Sequence, residues 1–220
     1  MGSNNLAIYG AGGLGREIAY MVHDINQQKR QWKLIGFFDD GKQKASIVDT
    51  LPVLGGLNEL NAARSPLNLV IAISDPLIKE KLVNDIINTK IEFPVLIHPS
   101  CNRGDKKNNT FGRGTILTAG VILTTAIQTG DFVLINLATT VGHDVNIGKF
   151  SSIMPGCSIS GSVSLGARCL VGTGARILQN LTIGEDSIVG AGAVVTRNFG
   201  AGSTLIGVPA VKTTQHVEGV

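Results

Sequence analysis

Rings and charges are both scarce in this chain. Phe, Trp and Tyr make up 5% of the residues and Asp, Glu, Lys and Arg 16%, with a formal net charge of +3. So small a charge excess argues against a nucleic-acid partner. No apolar run approaches the ~20 residues that a membrane helix needs. No basic segment followed by an apolar stretch stands at the N-terminus, so the chain reads as neither membrane-spanning nor exported. Three cysteines in 220 residues are too few for a disulfide framework. They point to a reducing, cytoplasmic protein with free thiols. No cluster of His, Cys and Asp has metal-ligand spacing, and no metal is expected. Two things are plentiful. Hydrophobic residues reach 43%, which excludes disorder, and 28 glycines amount to about 13% against an average near 7%. A core poor in rings and rich in Gly, Val and Ile suits stacked β-structure better than a helix bundle.

Charge divides the chain in two. Residues 1–110 hold 24 charged side chains and residues 111–200 only 9. The first part alternates strand and helix patterns. Leu6-Ala7-Ile8-Tyr9 reads as a strand running into the glycine loop Gly10-Ala11-Gly12-Gly13-Leu14-Gly15, followed by a helix from Arg16 to about Asn26. Leu34–Phe38 reads as a second strand, closed by Asp39-Asp40, and Leu69–Ile73 as a third. A helix is expected over 75–90, started by Asp75-Pro76, and a last short strand over 95–97. This alternation predicts a small Rossmann-like α/β domain with a parallel sheet, over residues 1–96. The loop Gly10-x-Gly12-x-x-Gly15, with Asp39 beyond it, matches a dinucleotide fingerprint. The domain, however, is one mononucleotide-binding half rather than two. Its loop amides at a helix N-terminus suit the diphosphate of a nucleotide sugar equally well.

The second part repeats every six residues. From Phe111 to Val195, fourteen of the fifteen positions taken in steps of six are apolar, Thr129 being the exception, and the register never slips. The next position is Gly eight times, and the fifth is small or aliphatic, as in Thr115, Val133, Cys157 and Ala175. An amphipathic helix has a period of 3.6, so six excludes it. Six fits a three-sided prism with one hexapeptide per face, 18 residues per coil and about five coils, with Gly easing the corners. This is the left-handed parallel β-helix, expected over residues 97–220. Cys157 and Cys169 are twelve residues apart, on different faces, so they are expected as free buried thiols.

A nucleotide-type α/β domain followed by such a repeat resembles the bacterial sugar acyltransferases of the PglD and NeuD type. The marks are Tyr9-Gly10-Ala11-Gly12-Gly13, Phe38-Asp39-Asp40, Leu54-Gly55-Gly56, Ile97-His98-Pro99-Ser100 and Val141-Gly142-His143-Asp144, then Val189–Val195 and Gly207-Val208-Pro209-Ala210. The resemblance implies transfer of an acetyl group from acetyl-CoA to an amine or hydroxyl of a sugar, in a homotrimer with active sites between neighbouring prisms. His143 stands at the third, outward position of its hexapeptide, where a core-filling histidine would not. Imidazole suits removal of a proton from an attacking amine or hydroxyl. By resemblance His143 is the general base and Asp144 its orienter. Resemblance also assigns Gly12, Gly13, Leu14, Asp39, Asp40, Ser74 and Asn136 to the acceptor, and Ser152, Gly161, Thr173 and Ala191 to the coenzyme. The Gly161 amide is the candidate oxyanion donor. The chain departs from its relatives at Ser152 and Leu14, where they carry histidines. His98 and His216 are expected at the surface, and His23 is read as favouring the C-terminal end of the first helix. The leading expectation is N-acetylation of a nucleotide-linked amino-dideoxy sugar for surface glycan assembly. The alternatives are O-acetylation of a sialic-acid-type sugar and, third, a non-catalytic binding protein.

Overall fold

A computed structural model describes residues 4–213 of the chain. It divides into two units, one ending at Pro99 and one beginning at Ser100, three residues after the division expected from sequence.

In the first unit β1 (Asn5–Tyr9) leads through the glycine loop into α1 (Gly13–Gln28), and β2 (Lys33–Phe38) follows. A hairpin, β3 (Ile47–Val48) and β4 (Leu51–Gly55), precedes the short α2 (Leu57–Asn61). Then come β5 (Leu67–Ile71), α3 (Pro76–Asp85) and β6 (Ile91–Glu92). The sheet order is β3-β4-β2-β1-β5-β6, parallel apart from the β3–β4 hairpin. The strand at Leu96–Ile97 forms but is not one of these six. β1 and β5 are almost wholly buried, as an apolar central strand in a parallel sheet must be.

Local chemistry explains where the elements differ from expectation. The helix expected over 75–90 stops at Asp85. Ile86 is extended, and Asn61 Oδ1 accepts the amides of Ile87 (3.0 Å) and Asn88 (3.3 Å), while Asn88 donates to Leu60 O and Ala63 O. A polar clamp between the ends of α2 and α3 thus overrides the apolar spacing of Ile86 and Ile87. Asp75 does cap α3, its Oδ1 accepting from Leu77 N and Ile78 N at 2.9 Å. Two glycines of the loop are needed for packing. Gly10 has φ +101°, with Ala72 O 2.8 Å from where a Cβ would sit, and a Cβ on Gly15 would run into the carbonyl of Gly10.

The second unit is a parallel β-helix. Fifteen two-residue strands, from Thr110–Phe111 to Val194–Val195, recur every six residues, five to a face, and within each face every strand pairs in parallel with the next, 18 residues on. The second residue of each strand is the position singled out by the sequence period. All but Phe111 are buried. Thr129, the polar exception, bonds Thr115 Oγ1 at 3.2 Å and so remains satisfied inside. The face carrying Ile188–Val189 ends in an antiparallel pair, Thr204–Ile206 with Val211–Thr213.

The corners work differently from the expectation. The left-handed residue is the fourth of each hexapeptide, not the second. It is Gly at some corners, but Ala138, Asp144, Ser162, Arg168 and Asp186 all take φ between +54° and +58°. Second-position glycines serve close approach between coils. A Cβ on Gly142 would lie 2.6 Å from Gly161 N, and one on Gly172 2.6 Å from Ala191 N. Hydroxyls and thiols at the fifth position have a task that size alone does not suggest. Thr139 Oγ1 donates to Met154 O (3.1 Å), Ser151 Oγ to Gly166 O (3.0 Å), Cys157 Sγ to Gly172 O (3.1 Å) and Cys169 Sγ to Gly184 O (3.3 Å), each fifteen residues ahead. They satisfy carbonyls that the turn leaves without a strand partner. Cys157 and Cys169 are free and buried, as expected, and so is Cys101. Among the described residues no helix is long and apolar enough to cross a membrane, and no cluster could hold a metal ion.

Candidate active site

His143 and Asp144 sit at the corner between the strands Thr140–Val141 and Asn146–Ile147. Neighbouring residues on a strand diverge, but Asp144 has φ +57° and its amide donates to Thr125 O (3.1 Å), one coil back. This left-handed turn swings the carboxylate beside the imidazole, and His143 Nδ1 lies 2.8 Å from Asp144 Oδ2. A carboxylate only accepts, so Nδ1 carries a proton, and in the neutral imidazole Nε2 then presents its lone pair. Both side chains are 63% exposed. The ring lies on Gly161, one coil ahead. A Cβ there would fall 2.5 Å from Nε2 and 2.6 Å from Cε1. The Gly161 carbonyl accepts from Asn180 N, while its amide donates to nothing among the described residues. Other third-position amides along the prism, those of Ala167, Thr173 and Ala191, are equally unbonded. What distinguishes Gly161 is the imidazole resting on it.

The coenzyme candidates are not all at this corner. Thr173 and Ala191 are exposed and stacked 18 residues apart, joined by Gly192 N to Thr173 O (2.8 Å). Theirs is the corner between Leu170–Val171 and Arg176–Ile177, one whole face away from His143. Ser152 lies on a strand and is wholly buried. Asn136 is 4% exposed, and its Oδ1 is taken by Leu137 N (2.8 Å) and Thr118 Oγ1 (3.2 Å). Its Nδ2 donates to nothing among the described residues and keeps a sliver of surface.

The acceptor candidates of the first unit gather at the carboxyl edge of its sheet, where loops from the adjacent strands β1, β2 and β5 emerge. Added Cβ atoms on Gly12 and Gly13 would meet nothing within 4 Å, so the start of α1 has open space in front of it. Leu14 is half-buried in the first helical turn, and Ser74 is half-buried after β5. Asp39 closes the loop. Its Oδ2 accepts from Ala11 N (2.7 Å) and its Oδ1 from Gly41 N (2.8 Å). Asp40 faces other protein groups, accepting from Tyr9 Oη and from Leu57 N at the start of α2 (2.9 Å). Burial, then this bond to Asp40, push the Tyr9 phenol well above its usual range. Tyr9 escaped sequence reasoning because it looks like one more apolar strand residue. Its place directly before the glycine loop was the available signal.

The other histidines have structural settings. His98, expected at the surface, has a side chain only 13% exposed and pairs with Asp24 at 3.1 Å. His23 contacts Gln27 (3.2 Å) and stacks on Tyr20, more than a turn before the end of α1, too early for the helix dipole. His216 lies outside the described residues.

Residues 5–86 match the PglD N-terminal domain, and residues 162–197 match the bacterial transferase hexapeptide, six repeats. A GDP-perosamine N-acetyltransferase of Escherichia coli O157:H7 is 31% identical over 157 residues, 70% of this chain and 68% of that protein. The chain belongs to the PglD/NeuD type of bacterial sugar acyltransferases. Among solved structures, the acetyltransferase domain of PglB from Neisseria gonorrhoeae superposes with a TM-score of 0.88 at 29% identity, over 96% of this chain and 100% of that one. PerB from Caulobacter crescentus, in complex with CoA and GDP-perosamine, gives 0.86 at 29% identity, over 95% and 97%. The PglB domain has also been solved with acetyl coenzyme A. This acyltransferase therefore shares its full two-part architecture with relatives that bind the coenzyme.

Proposed function

We propose that the protein transfers the acetyl group of acetyl-CoA to the amino group of a nucleotide-linked amino-dideoxy sugar. The observation that carries the proposal is the His143–Asp144 pair, whose free Nε2 lies against Gly161. An amine acceptor arrives as an ammonium ion and must lose a proton to attack a thioester. Nε2 takes that proton, and Asp144 fixes the tautomer that leaves it free to do so. The nitrogen attacks the thioester carbonyl directly, with no acyl-enzyme. The negative charge that gathers on the carbonyl oxygen is met by the Gly161 amide. Collapse breaks the C–S bond; the nitrogen's second proton passes to the departing sulfur, which leaves as the coenzyme thiol, and the amide remains. An amine rather than a hydroxyl acceptor is favoured by the names of the E. coli and Caulobacter relatives, both of which act on perosamine or bind its GDP form.

The open start of α1 and the Asp39 brace support a diphosphate held on the glycine loop, with Asp39 free to accept further through its remaining lone pairs. Asn136 Nδ2 is the group it offers the sugar. Asp40, tied to Tyr9 and α2, acts by holding this edge together rather than by touching the ligand. Thr173 and Ala191 stand one face away from His143, so one bound thioester meets both only where the His143 corner of one prism abuts the Thr173 corner of another. A cyclic trimer supplies that arrangement. Three free, buried thiols fit a cytoplasmic setting, where the product would feed surface glycan assembly. The test is to incubate the protein with acetyl-CoA and GDP-, UDP- and dTDP-linked amino-dideoxy sugars and follow free thiol. Release with none of them, but with a free sialic-acid-type sugar, would reverse the choice of acceptor.

A further inference from the structure

Residues 111–200 hold 9 charged side chains, yet Arg103, Lys106 and Lys107 fall within five residues just ahead of them. All three are exposed, and none forms an ion pair among the described residues. The segment is firmly built. Asp105 N donates to Thr124 O (2.8 Å), and the Asp105 carboxylate collects Asn108 Nδ2 (2.6 Å), Lys107 N (3.0 Å) and Thr125 Oγ1 (3.1 Å). The buried Asn109 side chain donates to Arg103 O (2.9 Å) and Thr124 O (3.0 Å) and accepts from Ile127 N (2.9 Å). Gly104, at φ +54°, presses so closely on Thr124 that no Cβ fits. These bonds, led by that from Asn108, hold the Asp105 carboxyl below its usual range. The one acid in the loop is thus held by uncharged donors rather than by an ion pair, and the loop carries three cations against one carboxylate.

The loop also has a definite place. Thr125, which it grips, is the residue beneath His143 on the same corner, through Asp144 N to Thr125 O at 3.1 Å. Coils are spaced about 4.8 Å apart, which puts the loop roughly 10 Å from the imidazole. We infer that Arg103, Lys106 and Lys107 form a phosphate-binding patch, which holds a phosphate of one substrate while its reacting atom lies at His143. The inference rests on the proposed acetyl transfer, in which acceptor and coenzyme both carry phosphates. Guanidinium and ammonium donors make short, charge-assisted bonds to phosphate oxygens, and few other charges on the coils compete with their field.

The experiment is calorimetric titration of the full chain with GDP, UDP, dTDP and CoA separately, at low and high salt. It is repeated on the variant Arg103→Gln/Lys106→Gln/Lys107→Gln, with melting curves to confirm the fold. Asp105 and its bonds are left intact. We expect about tenfold or more weaker binding of one ligand class, and a shallower salt dependence. Loss confined to the nucleoside diphosphates assigns the patch to the acceptor, and loss confined to CoA assigns it to the coenzyme. The charge-preserving variant Arg103→Lys/Lys106→Arg/Lys107→Arg should retain most of the affinity. Wild-type protein that binds a nucleoside diphosphate or CoA, with the Gln variant binding equally, overturns the patch alone. Wild-type protein that binds none of the four overturns the patch and the proposed function together.

Discussion

Replacing Gly161 by Ala tests the active-site geometry with a single methyl group. The new Cβ would lie 2.5 Å from His143 Nε2, 2.6 Å from Cε1 and 3.0 Å from Cδ2, and those three ring atoms are the nearest it meets. Carbon and nitrogen atoms in contact prefer about 3.5 Å or more, so the ring must give way by roughly 1 Å. It can do so cheaply because the side chain is 63% exposed. Gly161 is not in the left-handed region, so Ala is not strained there. Stability should therefore change by no more than about 0.5 kcal/mol. Activity should fall on the order of 10²-fold, the usual cost of misplacing a reacting group by ~1 Å. The assay is free-thiol release from acetyl-CoA, with a melting curve beside it. Gly200→Ala, where a Cβ meets nothing within 4 Å, is the control. A Gly161→Ala enzyme with wild-type turnover would show that the imidazole over Gly161 is not the catalytic arrangement.

His143→Ala should lower kcat by at least ~10²-fold with a smaller change in KM, read by the same thiol assay; full activity would remove His143 as base. Asp39→Ala leaves Ala11 N and Gly41 N without their acceptor, so KM for a nucleotide sugar should rise while KM for acetyl-CoA stays put. Cys169→Val leaves the Gly184 carbonyl without its thiol donor and should cost about 1–3 kcal/mol in urea unfolding, whereas Cys169→Ser should keep most of it. Lys79, buried on α3, is pushed down to about 7 by desolvation, with Asp75 opposing. Its unfolded form keeps the proton up to about 10.4, so the unfolded chain binds more protons between the two values. Stability should then rise with pH from about 7 toward 10, and Lys79→Met should flatten that rise in urea titrations. Light scattering should give a mass near three times 23.0 kDa; an active monomer would refute the shared site.

The β-helix was legible because its repeat is a steric demand, met by an apolar residue at fourteen of fifteen positions. One residue in six must point into the core, and a single slip would turn an apolar side chain outward. The hairpin β3–β4 and the short α2 have no such repetition. Their strands are two and five residues long, and Pro52 interrupts the apolar pattern. The corner rule was read two positions out of place for a physical reason. Glycine at the second position is conspicuous in the sequence, but its cause is the backbone of the next coil. The left-handed demand falls on the fourth position, where Phe132 and Phe150 accept it and stack at 5.3 Å. A positive φ can thus be filled by a large residue when neighbouring corners offset the strain, and composition alone does not reveal it.

The site was legible in unequal parts for a related reason. His143 stood out because a polar ring at an outward corner serves no packing need, and Asp144 was assigned by resemblance. The structure supplies the geometry of the corner: the left-handed Asp144 turns its carboxylate to the side of the imidazole, pairing two side chains that a flat strand would hold apart. Asp39 and Asp40 show the opposite case. As neighbours they looked equivalent, yet one braces the glycine loop through Ala11 and the other ties Tyr9 to the start of α2. A carboxylate's partners are set by the elements that converge on it, and those lie 28 residues away for Asp39 and 31 and 17 for Asp40. Ser152 and Asn136 were assigned by resemblance, and their place in the repeat fixes the face but not what covers it. The hexapeptide period therefore predicts direction well and accessibility poorly. Direction, as for His143, can be read from sequence. Accessibility, as for the exposed cations at 103, 106 and 107, emerges only from the folded chain.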